Sequence, residues 1–226
     1  MVAEVAAEIS AAAPRAARSA ARGTRTAANL VPRERILHAA ARLFRERGYQ
    51  RTTVRDIAER VGILSGSLFH HFRSKDEMLR EIMREAALSV CIRAEELMVR
   101  HAEPVHRLRA LIALELDCVI AEPNKDFHAV LFIEWREVPE AAKPEFTMLR
   151  RRYARIWREA LDDCHRQGLL RCEPAAASHV LHGAINGAMT WFKPSGRYTM
   201  EQYGDILAGL VLDVAAAPVP VDAAPG

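Results

Sequence analysis

Apolar side chains recur at helical spacing in two short segments that lie close together in the chain. In the first segment they occupy one face of a predicted helix, at Val54, Ile57, Ala58 and Val61. In the second they are Ile63, Leu68, Phe69 and Phe72. Gly62 separates the two patterns, and glycine readily closes a helix in the left-handed conformation. Two helices joined by so short a turn must cross sharply, which is the arrangement of a helix-turn-helix motif.

Polar residues fill the positions of the second segment that its apolar face leaves free. They are small or hydrogen-bonding residues, namely Ser65, Gly66, Ser67, His70 and His71. Such residues allow a close approach to phosphates and base edges, so this segment is predicted to be the DNA-reading helix. Thr53 and Asp56 have the spacing of a weak capping box, which predicts the start of the preceding helix.

The flanking sequence extends the motif on both sides. Upstream, an amphipathic helix is indicated by Ile36, Ala40, Leu43 and Phe44, and it is expected to end at Gly48. Downstream, Ser74 and Glu77 form a capping box ahead of a new apolar stripe at Met78, Leu79 and Ile82. We therefore predict a three-helix DNA-binding head that leads into a long fourth helix.

As a set, these residues resemble the TetR family of bacterial transcriptional regulators. The resemblance covers residues from about Arg33 to Leu79, especially Leu43-Phe44, Gly48-Tyr49, Thr52 to Ala58, Gly62, Gly66 to Phe69, His71-Phe72 and Ser74-Lys75. One position departs from the pattern, because Leu64 stands where the family usually has an N-cap serine. Capping is expected to shift to Ser65 or to be lost, at a cost of about 1 kcal/mol. The run from Ile63 to Leu68 resembles that of family members controlling sterol and fatty-acid catabolism.

The resemblance implies which residues contact a double-stranded DNA operator. Phosphates would be anchored by Thr52, Thr53 and Arg55, and the residues nearest bases would be Ser65, Ser67 and His70. The helix would be positioned, or the DNA backbone clamped, by Phe69, His71, Phe72 and Lys75, with Gly66 and Leu68 completing the set. Phe69 is equally compatible with core packing. A homodimer would place two reading helices about 34 Å apart on a palindromic operator.

The remainder of the chain is predicted to be helical as well, which makes the fold all-α. Prolines punctuate it, and helices are expected at about 75–101, 105–121, 125–137, 144–168, 175–192 and 199–214. We predict a disordered Ala- and Arg-rich tail at 1–29, the helix-turn-helix domain at 30–80, a helical effector-binding and dimerisation domain at 81–214, and a disordered tail at 215–226. An alternative for the first tail is a mobile arm laid along DNA phosphates.

The charge distribution supports an amino-terminal DNA reader. Residues 1–75 contain 14 Lys and Arg against 6 Asp and Glu, whereas the whole chain has a net charge of only +3. Basic side chains near phosphates release condensed counterions, so operator affinity should fall steeply as salt rises. A merely solvated basic surface would give the same composition, and the motif is what favours DNA binding.

The last two predicted helices carry the plainest pattern for a homodimer. Gly183 and Gly187 make the first of them narrow, and an apolar stripe on the second includes Tyr203, Leu207 and Leu210. Meeting their symmetry mates, two such helices would form a four-helix bundle. The pattern leaves open the alternative that this stripe packs only inside its own subunit.

The family resemblance also implies a small-molecule effector that releases the protein from DNA. Apolar and cationic side chains that would suit such a ligand are Trp135, Arg151, Tyr153, Arg155, Trp157 and Trp191. For any one of them, ordinary core packing or a solvated surface is the competing interpretation. The segment from Trp191 to Arg197 adds to the resemblance with regulators that respond to acyl-coenzyme A thioesters.

Several other functions are disfavoured. The chain lacks Gly-x-Ser-x-Gly, phosphate-binding and His-Glu-x-x-His motifs, so we expect neither catalysis nor a cofactor. His179 and His182 have metal-ligand spacing but no convincing third ligand, so no metal site is expected. A metal-responsive protein and a non-specific DNA-binding protein are the alternatives. The four cysteines include no Cys-x-x-Cys pair and do not suggest a disulfide framework. No stretch approaches the roughly 20 apolar residues that a membrane span needs. We therefore predict a cytoplasmic protein with no membrane partner.

Overall fold

The computed structural model describes residues 32–213, and in that range the fold is all-α, as predicted. Its nine α-helices are α1 Pro32–Arg47, α2 Val54–Val61, α3 Ser65–Leu68, α4 Lys75–Arg100, α5 Pro104–Ile120, α6 Lys125–Ile133, α7 Lys143–Arg166, α8 Pro174–Trp191 and α9 Met200–Val211. Two 3₁₀ turns, Trp135–Glu137 and Glu140–Ala142, lie between α6 and α7. The predicted tails at 1–29 and 215–226 lie outside the described residues.

The helix predicted at 125–137 is shorter than expected, because α6 ends at Ile133. Glu134 leaves the helical conformation, and its carboxylate accepts a hydrogen bond from the buried Tyr49 N–H at 2.9 Å. Val138 is extended, as is usual for a residue that precedes a proline. A tertiary hydrogen bond therefore accompanies the end of α6 at Ile133, whereas the sequence interpretation continued this helix to residue 137.

The helix predicted to end at 214 also ends early, at Val211. Leu212 is extended and forms an isolated antiparallel bridge with Leu170, while the Asp213 N–H donates to the Leu169 carbonyl at 2.9 Å. Gly168, with φ 69°, stops α7 before that bridge. A long-range backbone pairing thus replaces the last helical turn.

The first of two compact units contains the described residues up to Arg93 together with Ala121–Arg151. Within it α1 packs against α2 and α6. Large side chains from these helices and α4 and α7 fill one core, including Phe44, Ile57, Leu68, Phe72, Met78, Phe127 and Phe146. This division differs from the sequence boundary at residue 80, because residues 81–93 and 121–151 pack with the helix-turn-helix segment.

The second unit contains Ala94–Ile120 and the described residues from Arg152 onward. Helices α5, α8 and α9 pack against one another in it. Gly204 lies where α9 approaches α5, although a Cβ added there would make only ordinary van der Waals contact, 3.5 Å from the Leu116 side chain. The half-buried pair Arg107 and Asp163, joined at 2.9 Å, ties α5 to α7. This helical layer holds the buried polar groups described below.

Candidate nucleic-acid interface and effector-binding residues

The helix-turn-helix motif is fixed by caps at both ends of α2. The Thr53 hydroxyl accepts from the Asp56 N–H at 3.1 Å, and the Asp56 carboxylate accepts from the Thr53 N–H at 2.8 Å, which completes the predicted capping box. At the other end Gly62 has φ 79°, and its N–H donates to the Ala58 and Glu59 carbonyls. The left-handed turn that glycine permits therefore sets the crossing of α2 and α3.

The reading helix is much shorter than the sequence predicts. Only Ser65–Leu68 forms the α-helix, although the Phe72 N–H still donates to the Leu68 carbonyl at 3.0 Å. Leu64 is the N-cap and supplies no side-chain hydrogen bond, so capping did not shift to Ser65. The Ser67 N–H donates to the Leu64 carbonyl instead. Residues 69–71 therefore form hydrogen-bonded turns that follow the short helix, and these turns carry His70 and His71.

The helix-turn-helix segment exposes most of the residues suited to DNA contact. Thr53, Arg55, Gly66, His70 and His71 are exposed, and Ser65 and Ser67 are half-buried. The Phe69 side chain is 54% exposed, so it does not belong to the core. A Cβ added at Gly66 would meet nothing within 4 Å, which means that the fold itself does not require glycine there. The hydroxyl groups of Ser65 and Ser67 therefore flank the bare backbone of Gly66, and an aromatic ring and two imidazoles follow it in the chain.

Three residues from the predicted DNA-binding set must be corrected to structural roles. The Leu68 and Phe72 side chains are buried in the head, because both complete its apolar core. Thr52 is buried as well, and its hydroxyl donates to the Gly48 carbonyl at 2.9 Å. These three side chains are not available to phosphates or bases, and they hold the exposed residues in place.

Lys75 also differs from the predicted backbone clamp. Its ammonium group donates to the Tyr49 carbonyl at 2.8 Å and to the Thr52 carbonyl at 2.9 Å. The same group lies 4.0 Å from the centre of the Tyr49 ring. These contacts satisfy the charge of Lys75 inside the protein and fix the turn that precedes α2. The geometry therefore gives Lys75 a positioning role.

The six predicted effector residues are divided between the two units. Trp135 and Arg151 belong to the first unit, where Trp135 packs against Phe146 and Arg150. In the second unit, Arg155 is exposed on α7, and Trp191 packs against Phe192 and Tyr203 at the end of α8. Only Tyr153 and Trp157 face a common interior group of side chains.

That interior group is a buried polar cluster contributed by α5, α7 and α8. Tyr153 donates to the Glu115 carboxylate at 3.0 Å, and His182 Nε2 lies 3.6 Å from the same oxygen. Burial raises the pKa of Glu115, and the neighbouring His182 and Tyr153 only partly oppose this shift. Glu115 was missed by sequence reasoning, although a lone acid within the apolar run from Leu111 to Leu116 could have signalled it.

The predicted dimer residues divide between surface and core. Leu210 is 55% exposed, Gly183 is exposed, and Gly187 and Tyr203 are half-buried. Leu207 is only 1% exposed, so its assignment to the interface must be corrected, because it packs inside its own unit. Exposed apolar side chains on the same two helices also include Val180, Trp191 and Ile206.

The two predicted helical histidines are engaged with their own backbone. His179 Nδ1 lies 2.7 Å from the Ala175 carbonyl, and His182 Nδ1 lies 2.8 Å from the Ser178 carbonyl. Among residues 32–213, His, Cys, Asp and Glu form no group of three or more with metal-binding geometry. In the same range, no helix has the length and apolar character needed to cross a membrane.

Comparisons with known proteins agree on the family. Residues 36–82 match the model for bacterial regulatory proteins of the tetR family, and residues 101–215 match the model for the tetracyclin repressor-like C-terminal domain. The HTH-type transcriptional repressor KstR2 of Mycobacterium tuberculosis H37Rv is 31% identical over 80% of this chain and 90% of that protein. KstR2 of Rhodococcus jostii RHA1 is 32% identical over 82% of this chain and 92% of that protein.

One solved structure with a similar fold contains both a small molecule and operator DNA. The crystal structure of AibR in complex with isovaleryl coenzyme A and operator DNA has a TM-score of 0.70 and 26% identity, and the match covers 79% of this chain and 96% of that chain. The solved structure of KstR2 of Mycobacterium tuberculosis, described as a ketosteroid transcriptional regulator, matches with 29% identity and a TM-score of 0.68 over 80% of this chain and 95% of that chain. The predicted resemblance to sterol-related members is thereby confirmed. The chain belongs to the TetR family and is a transcriptional regulator rather than an enzyme.

Proposed function

We propose that this regulator is a repressor that binds a palindromic operator as a homodimer and is released by a small apolar or acyl-coenzyme A-like effector. The observation that carries the proposal is the exposed surface of the helix-turn-helix motif. It combines the phosphate-anchoring candidates Thr53 and Arg55 with Ser65, Ser67, Phe69, His70 and His71. Repression follows if the bound dimer blocks access to a promoter.

The surface of α8 and α9 supports the homodimer. One side of α8 carries apolar and small residues at helical spacing, namely Val180, Gly183, Gly187 and Trp191. On α9, the exposed apolar side chains are Ile206 and Leu210. Exposed apolar side chains interspersed with small residues allow helices to pack closely across a twofold axis. Two copies of the motif would then face successive major grooves of a palindrome.

Similarity to AibR supports the effector class, because that relative was crystallised with isovaleryl coenzyme A and operator DNA. The second unit of this chain offers an interior acid, hydroxyl, imidazole and indole in one place. An effector that binds the DNA-free form more tightly would lower operator affinity through their coupling free energy, typically about 1–3 kcal/mol.

A gel-shift titration with DNA from upstream of the gene tests the proposal. We expect one retarded species on a palindromic segment and its loss when symmetric bases in both half-sites are changed. His70→Ala should weaken operator binding by about 1–3 kcal/mol and reduce discrimination at the affected base pairs. His106→Ala, which removes an exposed histidine from α5, is the matched control.

Two results would contradict the proposal. Binding that is indifferent to the palindrome bases would identify a non-specific DNA-binding protein. Zinc-dependent operator binding that disappears with a chelator would favour the metal-responsive alternative. Transcription from the operator promoter in vitro, with and without the protein, separates repression from activation.

A further inference from the structure

Among the described residues of the second unit, two buried side-chain polar atoms lack hydrogen-bond partners. They are Nε1 of Trp157 on α7 and Oδ1 of Asn186 on α8. The Trp157 side chain is only 1% exposed, so solvent does not satisfy its N–H group. Leaving such a group unpaired costs about 1–3 kcal/mol, and native interiors rarely do so without a functional reason.

The Trp157 atom lies in the neighbourhood of Glu115, and Asn186 is on the side of α8 that carries His182. The Trp157 indole packs on the His182 ring with centroids 4.7 Å apart, and His182 Nε2 lies 3.6 Å from the Glu115 carboxylate. Asn186 follows His182 by one helical turn on α8, which places the two residues on the same side of that helix. One donor near a buried acid and one acceptor on the His182 side of α8 therefore remain unused.

The roles of the other groups narrow the chemistry. The Tyr153 hydroxyl is already committed to Glu115 at 3.0 Å, and His182 Nδ1 is committed to the Ser178 carbonyl. Two hydrogen-bonding groups remain unused. The indole N–H of Trp157 would be satisfied by a carbonyl oxygen, and the amide oxygen of Asn186 would be satisfied by an N–H or a hydroxyl group. A ligand carboxylate would instead bring a charge next to Glu115, where burial already disfavours the charged form of a carboxyl group and two neighbouring carboxylates would repel each other.

We propose that Glu115, Trp157, His182 and Asn186 form the polar recognition point of the effector, which accepts a neutral carbonyl compound such as a thioester and rejects the free carboxylic acid. This inference rests on the proposed effector-released function and adds the identity of the contacting residues and the selection against free acids. Glu115 provides the selectivity, and Trp157 provides the hydrogen bond to the carbonyl.

Calorimetry with matched ligands tests this assignment. The probes are N-acetylcysteamine thioesters of short, medium and long branched and straight acyl chains, each paired with its free acid at neutral pH. These thioesters lack the coenzyme A nucleotide, so the comparison reports only on the acyl end. We expect wild-type protein to bind the best thioester at least about tenfold more tightly than its acid, a difference of about 1.4 kcal/mol.

Variants separate the two roles. Trp157→Phe keeps an aromatic ring but removes the unpaired N–H, so thioester affinity should fall about tenfold in a protein that still folds, although the cavity left by the smaller ring lowers its thermal stability. Glu115→Gln should raise free-acid affinity and narrow the thioester preference. Glu103→Gln, which changes an exposed carboxylate in the same unit, should leave that preference unchanged.

Acids that bind wild-type protein as tightly as thioesters would overturn the proposal, and so would a Glu115→Gln variant with the wild-type preference. Failure of every probe to bind would also overturn the assigned ligand chemistry. Operator binding in the gel-shift experiment uses no effector, so that experiment judges the proposed repressor function separately.

Discussion

Gly66 is a residue whose presence the fold does not explain. Its added Cβ would meet no atom within 4 Å, and its φ is not among the positive ones. Gly66→Ala should therefore leave the free energy of unfolding unchanged or raise it by up to about 1 kcal/mol. If the bare backbone approaches DNA closely, the same change should weaken operator binding. Thermal denaturation and gel shift on one preparation check both effects, and undiminished DNA affinity would remove Gly66 from the interface.

Lys75 illustrates a charge used inside the protein. Lys75→Met removes the hydrogen bonds to the Tyr49 and Thr52 carbonyls and should lower the free energy of unfolding by about 1–3 kcal/mol. The salt dependence of operator binding should keep its slope, whereas Arg55→Met should reduce that slope by about one unit. Lys193→Met, on an exposed residue, controls for the charge change. A flattened slope for Lys75→Met would restore the phosphate-clamp role.

Glu115 gives the second unit a specific pH dependence. Burial raises the pKa of this carboxyl above its ordinary value of 4.5, so the folded state binds the proton more tightly than the unfolded state. The free energy of unfolding must then fall as pH rises from the ordinary pKa through the raised one. The Glu115→Gln variant has no carboxyl group to titrate at this position. Its melting temperature should therefore rise relative to that of the wild-type protein as pH increases across that interval. Parallel melting profiles for the two proteins would contradict the assignment.

At the scale of elements, the exposed faces of α8 and α9 decide the oligomeric state. Leu210→Asp should shift the protein from dimer to monomer, because it places a charge within an apolar contact that the dimer would bury. Val99→Asp changes a side chain that is 88% exposed on α4 and should leave the dimer intact. Analytical ultracentrifugation distinguishes the species. A Leu210→Asp protein that remains dimeric would exclude this face as the interface.

For the whole molecule, operator and effector must affect each other reciprocally. An effector that lowers operator affinity by a given factor must itself bind less tightly to the operator complex by the same factor, typically about 5–150-fold. Calorimetric effector titrations of the free protein and of the protein saturated with operator measure that factor. A scrambled duplex, which the protein does not recognise, is the control. Equal effector affinities in both titrations would exclude effector-controlled DNA release.

The local motifs were predictable from sequence because their causes are local. The capping box of Thr53 and Asp56 and the left-handed Gly62 depend on residues a few positions apart. The helical spacing of Ile57, Leu68 and Phe72 likewise specified the core face of the head. Apolar periodicity therefore identified the helix-turn-helix segment, the all-α class and, through the resemblance, the family.

Long-range contacts decided what the sequence pattern left open. Glu134 ends α6 by accepting the Tyr49 N–H, and Glu115, Trp157 and His182 converge from three helices far apart in the chain. Helical spacing ranks positions on one helix but carries no information about which face another helix covers, so Leu207 and Leu210 looked equivalent although only Leu207 is buried. The sequence by itself determined the elements and the reading motif. Tertiary packing decided which side chains are available for binding, because burial depends on partners distant in sequence.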